Sequence, residues 1–157
     1  MKILLAACNA KYIHSNLAVY NLKSCSGEYS SRVVVKEYTI NQIRDEILKD
    51  IYLEQPDVIC FSCYIWNVSF VKELVPDLKK ILPDADFWAG GPEVSYDAEK
   101  FLRSNPAFSG VMVGEGEETF QELAGHYIEG KPENLKEIRG VAFRNEDKVP
   151  DIVHTGW

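Results

Sequence analysis

Two stretches of the chain carry residue types that could do chemistry. Cys60-Phe-Ser-Cys63 has the spacing of a thiol pair that grips a metal ion. Cys8-Asn-Ala-Lys-Tyr-Ile-His14-Ser-Asn16 crowds Asn9, Lys11, Tyr12, His14 and Asn16 into one turn after a short apolar run. Those side chains could donate hydrogen bonds to a ligand. His14 could be a metal ligand or simply a residue near a helix start.

The elements that must position these residues decide between the readings. Strand-like apolar runs occur at Lys2–Ala7, Arg32–Tyr38, Asp57–Tyr64, Asp86–Ala89 and Gly110–Val113. Amphipathic segments at Ser15–Ser24, Asn41–Glu54, Val68–Leu82, Tyr96–Ser104 and Glu117–Glu129 alternate with them. Ile43, Ile47, Leu48 and Ile51 recur at helical spacing, as do Val71, Leu74, Val75, Leu78, Ile81 and Leu82. Pro76 inside the third segment predicts a kink or a late helix start. Near-continuous apolar strands alternating with helices predict an α/β fold, a Rossmann-like doubly wound five-stranded parallel sheet with helices on both faces and strand order 2-1-3-4-5 favoured over 3-2-1-4-5. After Lys131 the pattern changes, and Ile138–Val149 reads as a C-terminal β-hairpin. The expected division is an α/β domain over 1–137, then a hairpin and the start of a linker over 138–157.

On this frame Cys60 and Cys63 fall in one buried strand. Residues three apart on a strand face opposite sides, and no second thiol pair completes four ligands. Two small core residues are the favoured reading.

Composition narrows the classes further. The chain has 157 residues, 46% hydrophobic and 26% charged, which suits a single soluble domain. A net charge of −7 without a basic run argues against nucleic acid. Residues Val58 to Val68 are too short and too polar to span a bilayer, and no signal peptide is visible. Four cysteines without a secretory signal point to a reducing cytoplasm.

In a parallel sheet, ligands bind outside the carboxyl ends of the strands. The unusual residues all follow strand ends: Asn9–Asn16, then Ser62-Cys-Tyr-Ile-Trp-Asn67, Gly90-Gly-Pro-Glu-Val-Ser95 and Gly114-Glu-Gly-Glu-Glu-Thr119. Together they predict one crevice for a large, mostly neutral ligand. Each has a plainer alternative. Gly90-Gly91-Pro92 could be only a tight turn, and the glutamates after Gly114 could only complement a helix dipole. Ser62 could be a core hydroxyl or a donor to the ligand. No Gly-x-Gly-x-x-Gly follows the first strand, so the dinucleotide fingerprint is missing. The acidic pair of a receiver domain is missing as well, and no hydroxyl-rich loop suits a flavodoxin-like electron carrier.

Ser62-Cys63-Tyr64, Gly90-Gly91 and the run Val111-Met-Val-Gly-Glu-Gly-Glu-Glu-Thr119 resemble the cobalamin-binding domain of B12-dependent radical SAM enzymes, the group that includes the anaerobic magnesium-protoporphyrin monomethyl ester oxidative cyclases. The similarity covers roughly Met1 to Val149. It implies a Rossmann-like sheet with cobalamin at its carboxyl edge and the nucleotide tail running in between the loops. Ser62 and Tyr64 would line the tail pocket, and Gly90 and Gly91 would approach the dimethylbenzimidazole. The Asp-x-His-x-x-Gly of methionine synthase is absent, because Tyr12 and Leu17 stand where aspartate and glycine would. His14 is therefore not expected to ligate cobalt.

The cofactor-binding residues implied are Asn9, Tyr12 and His14; Ser62, Tyr64 and Asn67; Gly90, Gly91, Pro92 and Glu93; and Gly114, Glu115, Gly116 and Glu117. No catalytic residue is expected. The family's [4Fe-4S] cluster and S-adenosylmethionine belong to a radical SAM barrel, whose Cys-x-x-x-Cys-x-x-Cys is not in this sequence. The expected partner is such a barrel on the same polypeptide, and the chain reads as a fragment cut in a linker, not catalytic alone. The alternative is a degenerate domain of this descent that presents substrate or binds a partner without cobalamin.

Overall fold

A computed structural model describes residues 1–12, 14–145 and 151–156. Strand β1 (Ile3–Asn9) is buried along its whole length, as a central strand covered on both faces must be. Helix α1 (Leu17–Cys25) starts at Asn16, whose Oδ1 accepts from Ala18 N at 3.1 Å. A short 3-10 helix (Gly27–Arg32) leads into β2 (Val33–Thr39), followed by α2 (Arg44–Glu54), β3 (Val58–Ser62), α3 (Val68–Ile81) and β4 (Asp86–Gly90). Then come α4 (Pro92–Ser95), α5 (Ala98–Ser104), β5 (Gly110–Met112), α6 (Glu117–Glu129), β6 (Val141–Arg144) and β7 (Ile152–His154).

Strands β1 to β5 pair in parallel in the predicted order 2-1-3-4-5. The sheet nevertheless has seven strands, not five. Strand β6 pairs antiparallel with β5, and β7 with β6, so the hairpin covers an edge that β5 would otherwise leave open. Residues 146–150, which hold most of the expected turn Asn145–Lys148 and the expected return at Val149, lie outside the described residues, and β7 falls at Ile152–His154, in the segment expected to be linker.

Local boundaries differ from the sequence reading for identifiable reasons. Helix α2 starts at Arg44 rather than Asn41, because residues 39–42 form a turn in which Gln42 Oε1 accepts from Thr39 N at 2.8 Å. The helix expected over Tyr96–Ser104 starts instead at Ala98, capped by Asp97 Oδ1 accepting from Lys100 N at 3.2 Å, and a separate short helix, α4, precedes it. Helix α3 begins at Val68 and continues past Pro76, with no late start. Pro76 and Lys72 are both exposed, so the proline sits on the water-facing side of the helix, away from its packed face.

Two apolar layers flank the sheet. Ile3, Leu5, Ala7 and Cys60 pack against Val19 of α1 and Phe120 and Leu123 of α6. Leu4, Ala6, Phe61 and Cys63 pack on the other face, against α2, α3 and α5. Strand β3 ends at Ser62, between the two cysteines and short of the expected Tyr64, yet Cys60 and Cys63 still lie in separate layers, because Cys63 continues the alternation one residue past the strand. Among the described residues no helix is long and apolar enough to cross a membrane.

Candidate functional site

Parallel register sets Ala7 beside Ser62, Ser62 beside Gly90, and Gly90 beside Met112. Residues in register on neighbouring strands point to the same face, and this row faces α1 and α6. Two residues deeper stand Leu5, Cys60, Trp88 and Gly110. The Trp88 ring covers Gly110, where an added Cβ would come within 2.4 Å of it. Its Nε1 donates to Tyr127 Oη at 2.8 Å, and that hydroxyl donates to Asp86 Oδ2 at 2.8 Å. The deeper row is filled at the β4–β5 end. The outer row carries only a methyl, a hydroxymethyl, a hydrogen and a flexible thioether, and it leaves space.

That space is a cavity of about 420 Å³, opening at the carboxyl edge and running between the sheet and helices α1 and α6. A volume of this size suits a small-molecule site. Ser62, Tyr64, Gly90, Gly91 and Pro92 line it, as do Gly114, Glu115, Gly116 and Glu117. A second cavity of about 430 Å³ adjoins it, sharing Tyr64 and Ala18, and Asn9, His14, Asn16 and Trp66 line it. Tyr64 and Trp66 stack with ring centroids 4.5 Å apart and planes within 4°, forming a flat aromatic shelf.

Three expected residues lie outside both cavities. Tyr12 projects into solvent at 77% exposure, and Glu93 is exposed on α4. Asn67 is fully buried and holds the turn after β3: its Nδ2 donates to the Cys8 and Ser62 carbonyls, each at 2.9 Å, and its Oδ1 accepts from Tyr64 N at 2.8 Å. Ile13 lies outside the described residues.

The two adjacent glycines differ. Gly91 has φ +109°, and a Cβ there would stand 2.4 Å from the Cys63 carbonyl oxygen. The protein's own backbone, not only a ligand, requires glycine at that position. Gly90 has an ordinary φ, and its added Cβ would meet Met112 Cε at an unstrained 3.5 Å. Ser95 ties two of the loops together, with Oγ donating to Gly91 O at 2.8 Å and accepting from Gly114 N at 3.1 Å.

The loop after β1 is held by a residue that sequence reasoning passed over. Glu37 Oε1 accepts from Asn9 Nδ2 at 2.9 Å and from Asn16 N at 2.8 Å, while Oε2 accepts from Tyr20 Oη at 2.7 Å. Burial works against the Glu37 charge. The bonds from Asn16, Tyr20 and Asn9 outweigh it and hold the carboxyl below its ordinary range. The charged pair Lys36-Glu37 following three valines in β2 was the available signal. His14 is exposed, and its imidazole has no hydrogen-bonding partner among the described residues. Leu5, Val19, Leu22, Cys60 and Met112 also line the first cavity and were unforeseen, because a cavity wall and a packed core use the same residue types. Burial pushes the Cys60 thiol well above its ordinary value and the Cys63 thiol up to about 12, so both stay neutral.

A doubly wound sheet with a pocket opening at its carboxyl edge defines a ligand-holding α/β domain. The B12 binding domain model matches residues 3–124, and the chain belongs to that family. The cobalamin-dependent radical SAM methyltransferase TokK of Streptomyces tokunonensis is 31% identical over 90 residues, covering 57% of this chain and 13% of that protein. An uncharacterized methyltransferase of Pyrococcus horikoshii, PH0819, is 38% identical over 104 residues, or 66% of this chain and 22% of that protein. This chain thus matches only a small part of the length of these relatives. The structure of the cobalamin-dependent S-adenosylmethionine radical enzyme OxsB, with aqua-cobalamin and S-adenosylmethionine bound, superposes with a TM-score of 0.78 at 18% identity. That match covers 99% of this chain and 22% of that one, and it shows a shared fold.

Proposed function

We propose that this chain holds cobalamin at its carboxyl edge as one domain of a larger radical SAM enzyme of the methyltransferase or oxidative cyclase kind. The observation that carries this is the open row Ala7–Ser62–Gly90–Met112, above a deeper row that Trp88 fills. A sheet that had lost its ligand would be expected to close such a gap with side chains, so nothing favours the degenerate alternative. Ser62 would offer its hydroxyl to the cofactor's nucleotide tail, Gly90 would let the tail lie against backbone, and the Tyr64–Trp66 shelf would border the macrocycle. Bound cobalamin supplies a cobalt centre for methyl transfer or redox chemistry. The [4Fe-4S] cluster and S-adenosylmethionine would belong to a barrel on the same polypeptide, which the much greater length of the relatives supports. A reducing cytoplasm is the proposed setting, supported by four free cysteines, three of them buried.

The test is reconstitution with hydroxocobalamin followed by desalting. Retained red colour at one equivalent is expected, and a colourless protein fraction would overturn the reading. The cob(II)alamin-loaded protein should show no axial nitrogen splitting from His14 in its electron paramagnetic resonance spectrum, and His14→Ala should retain the cofactor. Splitting abolished by that substitution would make His14 a cobalt ligand after all.

A further inference from the structure

The first cavity, between the sheet and helices α1 and α6, is polar at its mouth and apolar at its floor. Leu5, Val19, Leu22, Cys60 and Met112 line the floor, all packed in the layer under α1 and α6. At the rim, the Ser95 hydroxyl already donates to Gly91 O and accepts from Gly114 N. Ser62 Oγ accepts from Asn16 Nδ2 at 3.3 Å, which leaves its own proton to give. Cys60 adds only a neutral thiol, a weak donor. Tyr64, Glu115 and Glu117 also line this cavity, so its polar side chains gather at the mouth beside Ser62, while the floor offers only a weak thiol donor and a greasy end.

We infer that this cavity selects the base at the end of a corrinoid's nucleotide tail, accepting dimethylbenzimidazole and rejecting a purine, with Cys60 and Met112 as specificity-determining residues. The inference rests on the proposed cobalamin-holding function. Dimethylbenzimidazole presents two methyl groups and a single free ring nitrogen, which one hydroxyl can serve. Adenine in the same place brings an exocyclic amine and additional ring nitrogens. The floor has no side-chain partner for them, and a buried polar group left unpaired weakens binding by about tenfold or more.

Three corrinoids titrated into the 157-residue chain test this: cobalamin, the same corrinoid with adenine as its lower base, and cobinamide, which lacks the nucleotide tail. Cobalamin should bind at least about tenfold more tightly than the adenine form, and also more tightly than cobinamide. Cys60→Ser, which sets a hydroxyl on the floor, should narrow the gap between the two bases severalfold; an unchanged gap would remove Cys60 from the selectivity. Equal affinity for the two complete corrinoids would overturn the inference and leave the cobalamin-holding function standing. Cobinamide binding as tightly as cobalamin would place the tail outside the cavity and overturn the inference on that ground. Failure of all three to bind would sink the proposed function itself.

Discussion

Adjacent glycines at the end of β4 face opposite constraints, although in the sequence they look like one motif. Gly91 is required by its positive φ and by the Cys63 carbonyl 2.4 Å from where a Cβ would sit. Gly90 has an ordinary backbone and room for a methyl group beside Met112. Gly91→Ala should therefore lower stability by about 2–4 kcal/mol in urea denaturation. Gly90→Ala should leave the denaturation midpoint close to wild type while weakening cobalamin binding severalfold, because the new methyl enters the cavity. Identical stability losses in the two variants would show that neither glycine is kept for the ligand. The sequence announced a loop at this point. The division of labour within it depends on register, which puts Gly90 between Ser62 and Met112 and Gly91 against a different loop.

At the scale of elements, strand β2 positions the loop that its neighbour β1 leads into. Glu37 gathers Asn9 from the end of β1, the Asn16 amide at the start of α1 and the Tyr20 hydroxyl within it. Its carboxyl is held below the ordinary range, so its contribution to the loop is fully present above the unfolded value of about 4.3 and is lost as pH falls through the lower folded value. The Asn16 amide proton, followed by NMR, should therefore shift with a midpoint below about 4.3, and Glu37→Gln should abolish that titration. The same variant should cost about 1 kcal/mol of stability and weaken cobalamin binding, through the loop rather than by contact. A midpoint above the free carboxylate value would contradict the account. Ser95 and Thr119 play comparable parts elsewhere. Ser95 joins the loops after β4 and β5, and Thr119 Oγ1 donates to Arg139 O at 3.0 Å, just before the hairpin. The Gly-Glu-Gly-Glu-Glu-Thr run thus ends in a residue whose role here is to fasten the loop's helix to the chain that follows.

For the whole molecule, the hairpin belongs to the sheet. Val141, Ala142, Phe143 and Ile152 are all buried, and β6 covers the outer edge of β5. Truncation after residue 137 should remove about 1.5–3 kcal/mol for each large apolar side chain lost and expose an edge strand. The shortened chain should unfold at lower urea and self-associate on size exclusion. A monomer with an unchanged midpoint would show that the hairpin is dispensable. The sequence by itself determined the alternation of strands and helices, the doubly wound parallel sheet, the edge where the unusual residues gather and the separation of Cys60 from Cys63. These follow from periodicities of two and 3.6 and from the handedness of crossovers, which act over a few residues at a time. Only the tertiary structure decided which of the two doubly wound strand orders the chain takes, that the hairpin extends the sheet, that Glu37 anchors the first loop, and that Leu5, Cys60 and Met112 line a cavity as well as packing in the core. Those outcomes turn on which side chains meet across strands 28 to 55 residues apart, as Asn9 meets Glu37 and Leu5 meets Cys60, and no local pattern records such a meeting.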